Sequence, residues 1–327
     1  MNSLPKIIVV AGPTASGKTR LAIELAGLYG GEIVSADSMQ VYRGMDIGTA
    51  KADEAERAQA VHHMLDVAEP GQDYSVARYV EEARLCCDNI LARGRTPILA
   101  GGTGLYIDSL ISGRDFAAND GDSGLRQELS DEYERIGGEA MLAQLGEFDP
   151  ERAARLHPGD KRRIVRAIEV YRLTGLTITE HDRRTQAIPP RYDAAFIILN
   201  YADRAQLYRS IDLRVDKMAQ QGLFEEVERL LGSGLSADCT AMQAIGYKEP
   251  AMALRGEISR EEAIELIKLN SRRYAKRQLT WFGRREDALR ISWEAEPDFA
   301  RALQLSTEFL SRCGYHNVAY REGTNTL

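Results

Sequence analysis

A complete G-x-x-x-x-G-K-[ST] loop, Gly12-Pro13-Thr14-Ala15-Ser16-Gly17-Lys18-Thr19, sits directly behind the apolar run Ile7-Ile8-Val9-Val10-Ala11 and ahead of a helical pattern. A strand that turns through such a loop into a helix commits the chain to a parallel α/β sheet. Gly12 and Gly17 let the backbone curl so that successive N–H groups point at anionic oxygens. Lys18 adds a point charge, and the Thr19 hydroxyl is a ready ligand for Mg²⁺. The loop therefore specifies a bound phosphate chain. It does not specify which chain, or what becomes of it.

The following segments keep the strand–helix alternation. Leu21, Ala22, Leu25, Ala26 and Leu28 have helical spacing, and Gly30-Gly31 ends that helix before the short strand Glu32–Ser35. His62–Val67 reads as another strand, Ser75 caps a helix carrying Val76, Tyr79, Val80, Ala83 and Cys87, and Thr96–Ala100 is a buried strand. Gly101-Gly102-Thr103-Gly104 then turns into a helix through Leu105, Leu110 and Ile111. The pattern predicts a P-loop NTPase-like, doubly wound parallel sheet. From about Asp115 the chain is helical and charged, without a strand-like run, until Ile188-Pro189-Pro190; strand character returns at Ala195–Asn200. This predicts an all-helical insertion at 115–193 within a catalytic core made of 1–114 and 194–314, and a flexible tail at 315–327. Long helical patterns cover Arg204–Leu231 and Arg260–Phe282.

Composition sets outer limits. The 327 residues suggest about two domains, and 44% hydrophobic with 28% charged residues is ordinary for a globular protein. No run approaches the roughly 18 apolar residues of a membrane span, and Met1–Lys6 lacks a signal-peptide core, so a cytoplasmic protein without a membrane partner is expected. Cys86, Cys87, Cys239 and Cys313 have no metal-ligand spacing and read as structural thiols. The net charge of −7 argues against nucleic-acid binding driven by total charge, so such a partner needs a local basic face.

Candidate chemistry lies at the carboxyl ends of the strands, where open parallel sheets bind ligands. Asp37 follows the second strand, and three roles are open to it: a ligand for Mg²⁺ or water, an acceptor acting on an incoming nucleophile, or the cap of a turn. No other strand ends in the aspartate of a Walker B motif, which weakens an ATP-driven motor. The glycine turn could bring backbone amides and the Thr103 hydroxyl to a substrate. Asp160 starts a helix with Lys161, Arg162, Arg163 and Arg166, and Arg272, Arg273, Lys276 and Arg277 with Trp281 repeat the idea. Guanidinium forks suit phosphate, and two such clusters on an acidic chain point to a polyanionic partner. Gln243-Ala244-Ile245-Gly246-Tyr247-Lys248 mixes an amide, a ring and a cation, as contacts to unpaired bases require, although a plain turn fits the pattern equally.

Taken in order, the phosphate loop, Asp37-Ser38-Met39-Gln40-Val41-Tyr42, Gly101-Gly102-Thr103-Gly104-Leu105-Tyr106, Arg162–Glu169, Ile245-Gly246-Tyr247-Lys248-Glu249 and Ala275-Lys276-Arg277-Gln278-Leu279-Thr280-Trp281 resemble the tRNA dimethylallyltransferase family over about residues 7–283. The resemblance implies transfer of a dimethylallyl group from dimethylallyl diphosphate to the exocyclic amine of the adenine 3′ of the anticodon, with Mg²⁺ as cofactor. It puts Thr14 to Thr19 on the diphosphate and Asp37 on the amine. It puts Asp37, Ser38, Met39, Gln40, Thr103, Lys161, Arg162, Arg163, Ile164, Val165 and Gln243 to Lys248 on the anticodon stem-loop of the tRNA. A monomer is expected. One departure is Gly283, inside Phe282-Gly283-Arg284-Arg285, where relatives often keep an unbroken aromatic-basic run. Absence of an appended zinc finger suits the bacterial type. A small-molecule or nucleotide kinase with the same loop is the main alternative, followed by prenylation of free adenine nucleotides and a noncatalytic RNA-binding switch.

Overall fold

The computed structural model describes residues 4–113 and 123–317. The first half of the chain lays down β1 (Lys6–Ala11), α1 (Lys18–Tyr29), β2 (Gly31–Ser35), α2 (Glu54–Gln59), β3 (His62–His63), α3 (Val76–Ala92), β4 (Thr96–Gly101) and α4 (Gly104–Ile111). Five helices follow: α5 (Ser123–Ile136), α6 (Gly138–Phe148), α7 (Pro150–Ala153), α8 (Lys161–Thr174) and α9 (Ile178–Gln186). The chain closes with β5 (Asp193–Tyr201), α10 (Arg204–Gln220), α11 (Leu223–Gly232), α12 (Lys248–Leu254), α13 (Arg260–Phe282), β6 (Leu289–Trp293) and α14 (Phe299–Arg312).

Among the described residues six strands run parallel in the order β3-β2-β4-β1-β5-β6. Period-two alternation splits β1 between two cores. Ile7, Val9 and Ala11 face one side with Val34, Leu99, Tyr79, Tyr106 and Phe196, while Ile8 and Val10 face the other with Leu21, Leu25, Ile98, Ile197 and Ile211. Both faces are thus roofed by helices, which is why these strands read as continuous apolar runs. The chain passes from β1 outward to β2, then from β4 across β1 to β5, and the carboxyl ends of β2, β4 and β1 lie side by side.

Several elements differ from the sequence reading. β3 pairs only at His62 and His63, because Met64 and Asp66 take positive φ and turn the chain away. The long pattern through Leu231 is broken at Gly222, whose φ of +99° ends one helix and starts the next. α13 stops at Phe282, and Gly283 keeps an ordinary helical φ of −58°. β6 and α14 are elements the sequence did not announce.

By packing, the chain divides into two compact units, 1–111 with 191–327, and 112–190. Arg191 and Tyr192 belong to the sheet unit rather than to the helical one: Arg191 N–H donates to Ile111 O at 2.9 Å, and Tyr192 is buried in the core. The expected start of the insertion at 115 lies outside the described residues. Tyr315, expected to open a loose tail, is buried and its hydroxyl donates to Ile7 O at 2.5 Å; the rest of that tail, 318–327, lies outside the described residues. The helical unit has its own core of Leu129, Met141, Leu145, Ile164, Val165 and Ile168. Its buried Glu169 is held by Arg126 and Arg166, as a desolvated carboxylate requires. Among the described residues no helix is long and apolar enough to cross a membrane.

Candidate active site

The phosphate loop leaves β1 under tight backbone constraint. A Cβ on Gly12 (φ +144°) would come within 2.3 Å of Leu199 O, so only glycine passes there. Gly17 (φ +85°) starts α1 without a side-chain cap, and its amide end is left to a ligand. Between them Ala15 is left-handed at φ 63°, a conformation that costs a non-glycine residue about 1 kcal/mol. The Ser16 hydroxyl donates to Pro13 O at 2.8 Å and helps to hold that bend.

Lys18 reaches back across the loop, its Nζ donating to Pro13 O at 2.6 Å. Burial pushes its ammonium from 10.5 down to about 7, the Arg214 guanidinium adds to the shift, and Asp37 opposes it. Arg214, on α10, donates to the Thr14 hydroxyl at 3.2 Å. Its own pKa is lowered by burial against the opposing pull of Asp37 and Glu56. Lys18, Arg20, Arg214 and Lys217 line the chamber against only Asp37 and Glu56, which leaves the site short of negative charge. A polyanion supplies it.

The loops after β2 and β4 are tied to the phosphate loop and to each other. Gln278, buried on α13, accepts from Thr14 N–H at 2.9 Å through Oε1 and donates to Gly102 O at 2.9 Å through Nε2. Thr103 N–H donates to Ala36 O, and Thr103 Oγ1 accepts from Ser38 N–H at 3.0 Å. Asp37 Oδ1 accepts from Met39 N–H at 2.9 Å, a local turn that aims the carboxylate. Tyr274 stands on the same side of α13; burial first, then the Asp37 charge, pushes its hydroxyl up to about 12 and keeps it protonated.

Two cavities open here. One, of about 470 Å³, is lined by the loop from Thr14 to Arg20 and by Asp37, Arg214 and Lys217. The other, of about 260 Å³, is walled by Met39, Ile211, Val215, Met218, Ile245 and Ile267. They meet at Thr14, Asp37, Thr49, Arg214 and Tyr274, which line both. The polar chamber thus communicates with an apolar one past a single carboxylate. Thr19, Asp37 and Glu56 offer hard oxygens to the polar chamber, a set that fits Mg²⁺, which favours one or two carboxylates completed by water and substrate phosphate. Among the described residues no group of three or more His, Cys, Asp or Glu forms a closed metal cage.

The residues selected from sequence separate into those that face the cavities and those that brace them. Thr14 to Thr19 and Asp37 line the polar chamber; Ser38, Met39, Gln243, Ala244 and Ile245 line the apolar one. Gly12 and Pro13 are buried and shape the loop from beneath. Gln40 spends its amide on Thr49 O and Ala50 O and accepts from the Ser35 hydroxyl, so it fixes the chamber wall. Tyr247 is not a surface ring: it is fully buried, and its hydroxyl donates to Glu226 at 2.7 Å, while Gly246 N–H donates to Glu249. Lys248 is exposed. In the helical unit Arg162 and Arg163 are exposed and Lys161 pairs with Glu134 at 2.6 Å, but the Ile164 and Val165 side chains point into the core, because they occupy the inward stripe of α8. Asp160 takes His157 N–H instead of capping α8. Trp281 anchors α13 to α4, its indole donating to Asp108 at 2.7 Å.

A family model described as IPP transferase matches residues 40–286, and one described as isopentenyl transferase matches residues 5–66. The chain belongs to the IPP transferase family. A tRNA dimethylallyltransferase of Geobacillus thermodenitrificans is 50% identical over 277 residues, 85% of this chain and 87% of the relative. Another, from Thermoanaerobacter sp., is 46% identical, covering 85% and 88%. Among solved structures, a full-length tRNA isopentenylpyrophosphate transferase of Bacillus halodurans superposes with a TM-score of 0.70 at 38% identity, covering 94% of this chain and 96% of that one. A eukaryotic dimethylallyltransferase acting on tRNA gives 0.78 at 29% identity, covering 94% and 80%. The P-loop NTPase-like sheet is thus the scaffold of a transferase.

Within this IPP transferase, sequence reasoning missed Arg214, Tyr274, Gln278 as a tie between loops, and Thr49. Arg214 stands in a helix rich in charge, and only the packing of α10 beside the phosphate loop distinguishes it from Arg204 or Arg209. Gln278 lies inside the Ala275–Trp281 motif, where nothing in the pattern itself marks it from its neighbours. A buried amide at a helical position facing the sheet was the available signal.

Proposed function

We propose that this transferase moves the dimethylallyl group of dimethylallyl diphosphate to the N6 amine of the adenosine 3′-adjacent to the anticodon of tRNA, releasing diphosphate. The observation that carries the reading is the meeting of a cation-lined chamber and an apolar chamber at Asp37. A diphosphate suits the first, an allylic chain and an unstacked purine suit the second, and the reacting atoms then lie beside the carboxylate.

The C–O bond of the donor breaks and its electron pair stays on the diphosphate, while the adenine N6 forms the new bond to the allylic carbon. Asp37 takes the proton that N6 loses. General-base help of this kind contributes about 10²–10⁴-fold to rate. Lys18, Arg214 and the amides at the start of α1 stabilise the charge that builds on the departing diphosphate. Mg²⁺, held by Thr19 with the diphosphate itself, would neutralise further charge on the leaving group. The purine has to leave its stack to reach the chamber, at a cost of a few kcal/mol that a loop nucleotide keeps low. Arg162 and Arg163 on α8, and Arg273, Lys276 and Arg277 on α13, are exposed cations suited to the phosphates of the anticodon stem-loop.

The test is direct. Incubating the protein with dimethylallyl diphosphate, Mg²⁺ and unmodified tRNA should yield, by nucleoside mass spectrometry, an adenosine heavier by one five-carbon prenyl unit. Phosphorylation of an acceptor with ATP, and no prenylated adenosine, would replace this reading with the kinase.

A further inference from the structure

The phosphate loop is braced from behind by the last strand and helix, elements that lie beyond residue 286, where the family match ends. Trp293 closes β6 in register with Tyr201 of β5, is 3% exposed, and donates its indole N–H to Ser16 O at 3.0 Å. Phe299, the first residue of α14, packs on Trp293 with ring centroids 5.4 Å apart. The same phenyl ring fills the space where a Cβ on Gly17 would come within 2.7 Å, and Arg20 covers it at 4.2 Å.

The peptide between Ser16 and Gly17 is a planar trans plate, so its C=O and N–H point in opposite directions. Anchoring Ser16 O to the indole turns the Gly17 N–H the other way, toward the chamber that Gly17, Lys18 and Thr19 line. We infer that Trp293 is a positioning residue for diphosphate binding: its indole N–H sets the 16–17 peptide so that the Gly17 amide faces the anion. The role rests on the diphosphate-donor reading above. A tryptophan serving only as core packing would need its ring but not its N–H.

Replacing Trp293 with benzothienylalanine keeps ring size and removes only the N–H. In the full chain, affinity for inorganic diphosphate by titration calorimetry should fall about three- to tenfold, the scale of one neutral hydrogen bond. The donor KM should rise in step and the tRNA KM should stay within twofold. Replacement with 6-fluorotryptophan, which keeps the N–H, should restore the diphosphate affinity. An unchanged affinity in the folded benzothienyl variant overturns the proposal, as do equal losses for donor and tRNA. Diphosphate binding is read without transfer, so an unsubstituted protein that binds diphosphate but makes no prenylated adenosine refutes the transferase reading and leaves the result on Trp293 intact.

Discussion

Raising the pH from 6 to 8 should weaken diphosphate binding about tenfold through Lys18 alone. Burial and Arg214 outweigh Asp37 and hold this ammonium at about 7, well below its ordinary 10.5. A bound diphosphate reverses that balance, so binding selects the protonated lysine. With a free pKa of about 7, the protonation penalty is about 1.1-fold at pH 6 and about elevenfold at pH 8. The sign follows from the direction of the shift: the anion-bound state holds the proton, and affinity is lost as pH rises through the free-state pKa. By the same linkage the anion-free protein gains stability from this group as pH rises from about 7 toward 10.5, where only the unfolded chain still binds the proton. The assay is calorimetric titration of inorganic diphosphate in buffers of different ionisation enthalpy, which counts protons taken up. The ligand's own ionisation is removed by comparison with Lys18→Arg, whose guanidinium does not titrate in this range. Uptake approaching one extra proton near pH 8, absent in Lys18→Arg, is the expected result. Identical proton counts in the two proteins would refute the argument.

Arg214→Gln should weaken diphosphate binding and move the Lys18-linked midpoint above about 7, because the neighbouring positive charge that depresses it is gone; calorimetry across pH reads both, and an unmoved midpoint contradicts the coupling. Tyr247→Phe removes a donor to the buried Glu226 carboxylate and should cost about 1.5–3 kcal/mol in denaturant unfolding, with tRNA affinity unchanged. A selective loss of tRNA affinity would return Tyr247 to the RNA surface. Arg162→Ala with Arg163→Ala should reduce the salt dependence of tRNA binding by up to about two phosphate contacts, whereas an unaltered slope would make these arginines mere surface charge.

The phosphate loop, β1, β4, α1 and α13 were legible because their constraints are local: an anion cradle needs glycine at fixed positions, and strands buried on both faces must be apolar throughout. β6 was not legible. Leu289-Arg290-Ile291-Ser292-Trp293 is a short edge strand that buries only Ile291 and Trp293, and its pairing partner lies far back in the chain. The Ile245–Glu249 segment misled for a related reason. Its tyrosine looks like surface chemistry until Glu226 is placed against it, accepting from Asp46, Ile47 and Gly48 N–H as well as from Tyr247. At the site, Asp37 was open to three readings from sequence; the turn to Met39 is the local one among them, whereas the position between two chambers is a tertiary fact that no local pattern carries.

The most direct measurement is the single-turnover rate of prenyl transfer by Asp37→Asn, with labelled dimethylallyl diphosphate and unmodified tRNA both prebound. Since the carboxylate acts on the proton in flight and not on either bound ligand, the rate should fall about 10²–10⁴-fold, with donor and tRNA dissociation constants within a few fold of the unsubstituted protein. A rate that survives the substitution would contradict the role given to Asp37.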